Sequence, residues 1–263
     1  MSEDNTNEAV LVDRPSGHVM RATLNRPDVR NAVNGDMARG LEAAVDAAES
    51  DDDVRVVILA AAGDKSFCAG ADLAAVGAGR GAELSTERGG FAGFVRAPRR
   101  KPWIAMVNSN ALGGGLELCL ACDMVVAARS ARFGLPEVKR GIFAGAGGAF
   151  RLPLAIPRAV ALEMLATGDP IHAERAFVLG LVNRVVDVRE LFAATLALAG
   201  AIAGNAPVSV RESLALGRAA HEHPETEMWR RNSDAGRRVM ATQDAKEGPR
   251  AFLEKRPPAW TGK

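Results

Sequence analysis

A chain of 263 residues, 48% hydrophobic and 25% charged, is long enough for one large α/β domain with a helical appendage, and its composition excludes disordered and fibrous classes. The 33 Lys and Arg nearly balance 32 Asp and Glu, so a net charge of +1 provides no global field for nucleic acid or a membrane surface. Cys68, Cys119 and Cys122 are too few and too odd in number for a disulfide framework; with a polar, acidic start (MSEDNTNE) unlike a signal peptide, they lead us to expect a cytoplasmic protein.

Residues 9–13 and 18–24 read as short extended segments around a Pro15-Ser16-Gly17 turn, followed by an Asn25-Arg26-Pro27-Asp28 loop. Leu41, Val45 and Ala48 recur on one face of residues 36–49, which predicts an amphipathic helix. Residues 54–60 form an apolar run typical of a buried strand, and a loop carries the chain to Asp72. Residues 77–93, rich in glycine and charge, read as a mobile surface piece beside a site. Residues 103–107 give a second buried strand, Gly113-Gly114-Gly115 opens a helix over 116–122, and 124–127 is a further strand. This alternation predicts α/β architecture with mostly parallel pairing. Beyond Pro157 the pattern is helical except for a strand over 181–186. Residues 191–210 carry no charge, yet Pro207 would break a spanning helix, so they read as a buried helix and the start of another. The expected division is a catalytic core over 1–190 and a helical module over 191–263.

Chemistry concentrates in three segments. In Asn110-Ala111-Leu112-Gly113-Gly114-Gly115-Leu116-Glu117, three glycines where strand becomes helix let a ligand approach the backbone without meeting a Cβ. Free N–H groups and the helix dipole there favour an oxygen that gains negative charge during reaction. The glycines also suit plain helix packing, and Glu117 also suits a dipole-favoured surface position. Its neighbours Leu116, Leu118, Cys119 and Leu120 argue instead for partial burial, which raises a carboxylate's pKa and suits it to proton transfer. Glu137 follows Pro136 at another glycine-bounded helix start, so the two glutamates together suit paired acid–base work. Ala69-Gly70-Ala71-Asp72, after the buried strand, is a candidate source of a second N–H for the same oxygen.

These residues resemble the crotonase superfamily of enoyl-CoA hydratases and isomerases, and most of all a bacterial enoyl-CoA hydratase. The resemblance runs in order through Asn25-Arg26-Pro27, Asn31-Ala32, Ala69-Gly70-Ala71-Asp72, Lys101-Pro102, Gly113-Gly114-Gly115-Leu116-Glu117-Leu118, Cys122-Asp123, Phe133-Gly134-Leu135-Pro136-Glu137 and Gly145-Ala146-Gly147-Gly148. It implies a spiral of ββα units with a helical C-terminal module that serves assembly and covers the active site. It implies an oxyanion hole from the N–H groups of Ala71 and Gly114, and catalysis of hydration by Glu117 and Glu137. It further implies contacts to the coenzyme A thioester from Ala69, Gly70, Ala71, Asp72, Leu73 and Gly113. Where the family often has Lys-Ala-Leu, this chain has Asp28-Val29-Arg30, with Arg30 as the substitute cation for coenzyme A. Phe143, in a segment that commonly reads Ile-Pro-Gly-Ala-Gly-Gly, is expected to reshape the acyl pocket. The resemblance implies no metal or cofactor beyond the substrate's own coenzyme A, and homotrimers, often paired into hexamers.

Other motifs lead elsewhere. Cys119-Leu120-Ala121-Cys122 has redox spacing, but at a helix end where the dipole does not lower a thiol pKa. Gly145-Ala146-Gly147-Gly148 places Phe150 where a dinucleotide fingerprint needs its third glycine, and His221 and His223 would point apart on a helix. An isomerase or other acyl-CoA lyase using the same enolate is the alternative within enzymes; a non-catalytic acyl-CoA-binding protein is the alternative outside them.

Overall fold

The computed structural model describes residues 8–263; residues 1–7, part of the polar, acidic start, lie outside it. Strands β1 (Val10–Ser16) and β2 (Val19–Leu24) form an antiparallel hairpin with an irregularity between Asp13 and Ser16. Helix α1 (Gly35–Ser50) starts where Asn34 Oδ1 accepts the Met37 N–H at 3.0 Å, a side-chain cap for one of the helix's orphan donors. It buries Met37, Leu41, Ala44, Val45 and Ala48 along one stripe, the 3.6-residue period legible in the sequence. Strand β3 (Val56–Ala61) follows, then the short α2 (Leu73–Gly77) and a small hairpin, β4 (Ser85–Thr86) with β5 (Gly90–Phe91). Next come β6 (Trp103–Val107), β7 (Ala111–Leu112), α3 (Gly114–Ala121), β8 (Met124–Ala128) and β9 (Arg132–Gly134). Helices α4 (Gly148–Ala155) and α5 (Arg158–Thr167), strand β10 (Ile171–His172), helix α6 (Ala173–Val178) and strand β11 (Arg184–Val186) complete the layered part. Four helices end the chain: α7 (Leu191–Ala203), α8 (Pro207–Ala219), α9 (Glu225–Met240) and α10 (Asp244–Leu253).

The main sheet has the order β1-β2-β3-β6-β8-β11, parallel throughout except for the first pair. Its central strands are buried on both faces, which explains their unbroken apolar runs. Val57 and Leu59 of β3 pack with α1 and the aromatic pair Phe94–Trp103 in the larger core. Val56, Ile58 and Ala60 face the other way, against Leu191, Ala199 and Ala203 of α7. Each buried Val, Leu or Ile among them contributes about 1.5–3 kcal/mol by leaving water. The uncharged stretch therefore serves as a cover for the sheet. It breaks at Pro207, where α7 and α8 meet at 105°, and no single helix among the described residues is long and apolar enough to cross a membrane.

A second, smaller sheet has the order β10-β9-β7. Single parallel bridges Cys68–Ala111 and Val33–Ala71 extend it through the loop after β3. These pieces of one to three residues carry no readable periodicity, so β7, β9 and β10 have no counterpart among the elements expected from sequence. The strand expected over 181–186 shrinks to Arg184–Val186, because Leu181 and Val182 instead enter the larger core. Residues 77–93 lie at the surface beside the main cavity, as the sequence implied, and hold a short ordered hairpin. Glu42 Oε1 accepts both the Thr86 hydroxyl (2.7 Å) and the Gly89 N–H (3.1 Å), pinning the β4–β5 hairpin to α1.

Candidate active site

The small sheet brings the loop after β3 against the start of α3. Gly70, at φ +90°, approaches so closely that a Cβ there would lie 2.9 Å from the Gly114 nitrogen and 3.2 Å from the Leu112 oxygen. Glycine is required at position 70 both by backbone conformation and by space. On the loop, the Val33 N–H donates to Gly70 O (2.8 Å) and the Asp72 N–H to Val33 O (2.9 Å). In such a parallel bridge the intervening residue turns its own N–H the other way, and the Ala71 N–H has no protein acceptor among the described residues. At the start of α3, Gly113 donates to Gly134 O (2.9 Å), and Leu116 and Glu117 donate back to Gly113 O (2.9 and 3.1 Å). The Gly114 N–H, one of the four that a helix start leaves unpaired, has no acceptor either among the described residues.

Both amides border one cavity of about 670 Å³. Arg30, Ala69, Gly70, Ala71, Leu73 and Gly113 line it on one side, together with Pro136 and Arg140. Glu117 and Glu137 are its acids. Phe91 of the hairpin, Val95 and Arg96 just after it, and Phe143, Phe150 and Arg151 from around α4, complete the wall. Arg30 and Ala69 also line an adjoining cavity of about 360 Å³ with Lys65, Ser66 and Asn110.

Glu117 is 3% exposed, and its Oε1 accepts the Gly148 N–H at 2.9 Å. Burial pushes its carboxyl up to about 7; the Gly148 N–H and the Arg151 guanidinium oppose the rise, while the second acid, Glu137, adds to it. Glu137 stands on the 3-10 turn Pro136–Arg140, whose proline fixes the first position as the sequence implied. Burial raises its pKa too, against its own backbone N–H and Arg140. Its Oε2 is buried with no hydrogen-bond partner among the described residues. Each carboxyl group lies against a glycine: a Cβ on Gly113 would stand 3.1 Å from Glu137 Oε1, and one on Gly148 would stand 3.0 Å from Glu117 Cγ.

Of the residues singled out from sequence, Asp72 alone does not line the cavity. Its carboxylate caps α2, accepting from Ala74 and Ala75 (3.1 and 3.3 Å), and pairs with Arg26 at 2.9 Å, so it braces the loop that carries Ala71. Sequence reasoning missed Phe91, Arg96, Phe150 and Arg151, whose place on the wall follows only from tertiary packing. Cys68 and Cys119 are buried, all three cysteines are unpaired, and burial pushes the Cys68 and Cys122 thiols up to about 12. Among the described residues no three His, Cys, Asp or Glu gather as metal ligands.

The parallel-dominated sheet, the small second sheet and the paired acids beside free amides define an α/β protein of the crotonase class. Comparison places it more closely: the profile described as enoyl-CoA hydratase/isomerase matches residues 14–263, and the chain belongs to that family. It is 38% identical over 253 residues to a carnitinyl-CoA dehydratase of Salmonella typhi, covering 94% of this chain and 97% of that one. A crystal structure of an enoyl-CoA hydratase from Mycobacterium tuberculosis H37Rv superposes with a TM-score of 0.93 at 42% identity, covering 97% of this chain and all (100%) of that one. A carnitinyl-CoA hydratase from Mycobacterium avium is 45% identical with a TM-score of 0.77, covering 97% and 99%.

Proposed function

We propose that this chain adds water across the C2=C3 bond of a 2-trans-enoyl-CoA, with Glu117 and Glu137 as its acid–base pair. The observation that carries the proposal is the placement of two carboxyl groups with raised pKa values on the wall of one cavity that also presents two unpaired backbone amides. The thioester oxygen takes hydrogen bonds from the Ala71 and Gly114 N–H groups. Glu117 accepts a proton from a water molecule as its oxygen bonds to C3. The C2=C3 electrons shift into the thioester, and the two amides carry the charge that develops on its oxygen. Glu137 then delivers a proton to C2, and the pair recovers its starting state by proton exchange. An oxyanion donor of this kind is worth about 2.7–4 kcal/mol of barrier. Ala69, Gly70, Leu73 and Gly113 border the thioester and pantetheine side, with Arg30 as the cation for the coenzyme A phosphates.

The reading assigns every proton and charge to the chain and the substrate, so it calls for no cofactor beyond coenzyme A itself. We further propose a cytoplasmic trimer or pair of trimers in which residues 191–263 act as the assembly module. Exposed Trp229, Met240, Phe252 and Leu253 on α9 and α10 support that arrangement, and three unpaired thiols fit a reducing compartment.

Crotonyl-CoA turnover, followed by loss of the enoyl absorbance in heavy-oxygen water, tests the function. The expected product carries the label at C3; an isomerase leaves it out. Glu117→Gln and Glu137→Gln each lose about 10²–10⁴-fold in kcat, and full activity in both variants removes the assigned roles.

A further inference from the structure

Four arginines, Arg30, Arg96, Arg140 and Arg151, line the main cavity, and none of them forms an ion pair with a carboxylate among the described residues. Its only acids, Glu117 and Glu137, are committed to the chemistry proposed above. Arg30 continues into the adjoining cavity, Arg140 follows Glu137 on its turn and Arg151 interacts with the Glu117 charge, which leaves Arg96 with no acidic partner among the described residues.

Two chains of contacts tie Arg96 and Arg151 to the Gly114 amide and to Glu117. The first starts at the Gly114 amide. The Phe91 ring packs so tightly on Gly114 that a Cβ there would meet Cε1 and Cζ at 2.5 Å. Gly90, next to Phe91 and at φ +66°, leaves its own Cβ space to Arg96, whose Nε would lie 2.7 Å from that atom. The Arg96 side chain has one weak partner, the Glu87 carbonyl at 3.3 Å. The second chain starts at Glu117, which is held by the first amide of α4; three residues on, Arg151 donates from Nη2 to Val95 O at 2.7 Å, next to Arg96. Its Nη1 is buried and has no partner. Arg96 and Arg151 therefore both border residues 91–95, on the cavity wall that also carries Glu117.

A guanidinium is always charged, is a donor without acceptor capacity, and matches a carboxylate in a planar fork. From this geometry we infer that Arg96, supported by Arg151, is a specificity-determining residue, and that it favours acyl groups ending in a carboxylate over those ending in a quaternary ammonium. Like charge at close range rejects the second class, which also has no donor or acceptor to satisfy either arginine. The inference rests on the hydratase reading for the direction in which the substrate lies.

The test compares three 2-enoyl-CoA esters: crotonyl-CoA, one whose acyl chain ends in a carboxylate, and one whose chain ends in trimethylammonium. The expected kcat/KM ratio of carboxylate-ended over ammonium-ended substrate is about tenfold or more in the wild-type chain and inverts in Arg96→Glu. Arg96→Gln brings the ratio close to one. Turnover of crotonyl-CoA with no preference between the charged ends, or a preference that survives Arg96→Glu, overturns the assignment. Failure of all three esters to react overturns the hydratase reading instead. The Kd values of the saturated acyl-CoA analogues then measure the same ratio without chemistry, and an unchanged Kd ratio in Arg96→Glu refutes the inference.

Discussion

The Gly148 N–H donates to Glu117 Oε1 at 2.9 Å from the first turn of α4, so a helix start fixes the orientation of an acid carried by a different helix. This bond favours the ionised carboxylate, and burial favours the neutral acid. Burial wins, and the balance settles at about 7.

That balance sets a pH dependence. In hydration Glu117 must be ionised to take a proton from water, so kcat/KM is expected to fall as pH drops below about 7. Glu137 must be protonated to serve C2, and its raised pKa keeps that form present at higher pH than for a free glutamate. The two inflections of the resulting bell belong to the pair. The same shift has a stability consequence. Between the ordinary value of 4.5 and about 7 the unfolded chain ionises at this residue before the folded one does, so stability is lost as pH rises across that window. Denaturation midpoints of Glu117→Gln across that range should show a flatter profile than wild type, and equal slopes would disprove the burial argument.

The glycines at the head of α3 are expected to differ in tolerance. A Cβ at Gly115 would stand 2.1 Å from the Cys68 carbonyl oxygen, a main-chain atom that also accepts the Leu112 N–H. No rotamer relieves that contact, so Gly115→Ala should fold poorly or melt well below wild type. Gly114→Ala meets the Phe91 ring, which can turn away; about 1–3 kcal/mol of stability is lost, and the displaced ring enters the cavity and lowers kcat/KM. Thermal melts and steady-state kinetics of the two variants check this, and a wild-type melting temperature for Gly115→Ala would contradict it.

Asn31 holds the loops beneath the site. It is 0% exposed, sits at φ +53°, accepts the Arg26 N–H at 2.8 Å and donates from Nδ2 to Ala62 O and Ser66 O at 3.0 Å each. Asn31→Asp keeps the shape and removes both donors. Each orphaned carbonyl costs about 1–3 kcal/mol, and the slackened 66–71 loop should raise KM for the acyl-CoA. A urea midpoint indistinguishable from wild type would show that the network carries no stability.

The elements legible in the sequence were those with a period long enough to read. The stripe of α1 and the unbroken apolar runs of β3 and β6 announced a buried parallel sheet, and the order of glycine segments announced the family. Glu117 and Glu137 could be singled out because each follows a local signal, a glycine run or a proline. Other features depend on contacts between residues far apart in the chain, which no local pattern encodes. Asp72 looks like a ligand-binding residue within its motif, yet Arg26 and the start of α2 hold its carboxylate away from the cavity. The 77–93 segment has the composition of a surface loop, and its attachment to Glu42 on α1 is not encoded in any local pattern. Arg96 and Arg151 carry no motif and reach the cavity only because the β4–β5 hairpin and α4 pack around the same helix start. Local sequence thus determined the longer helices and strands, the family and the two candidate acids. Tertiary packing decided which charges face the cavity, because burial and pairing arise only when distant segments meet.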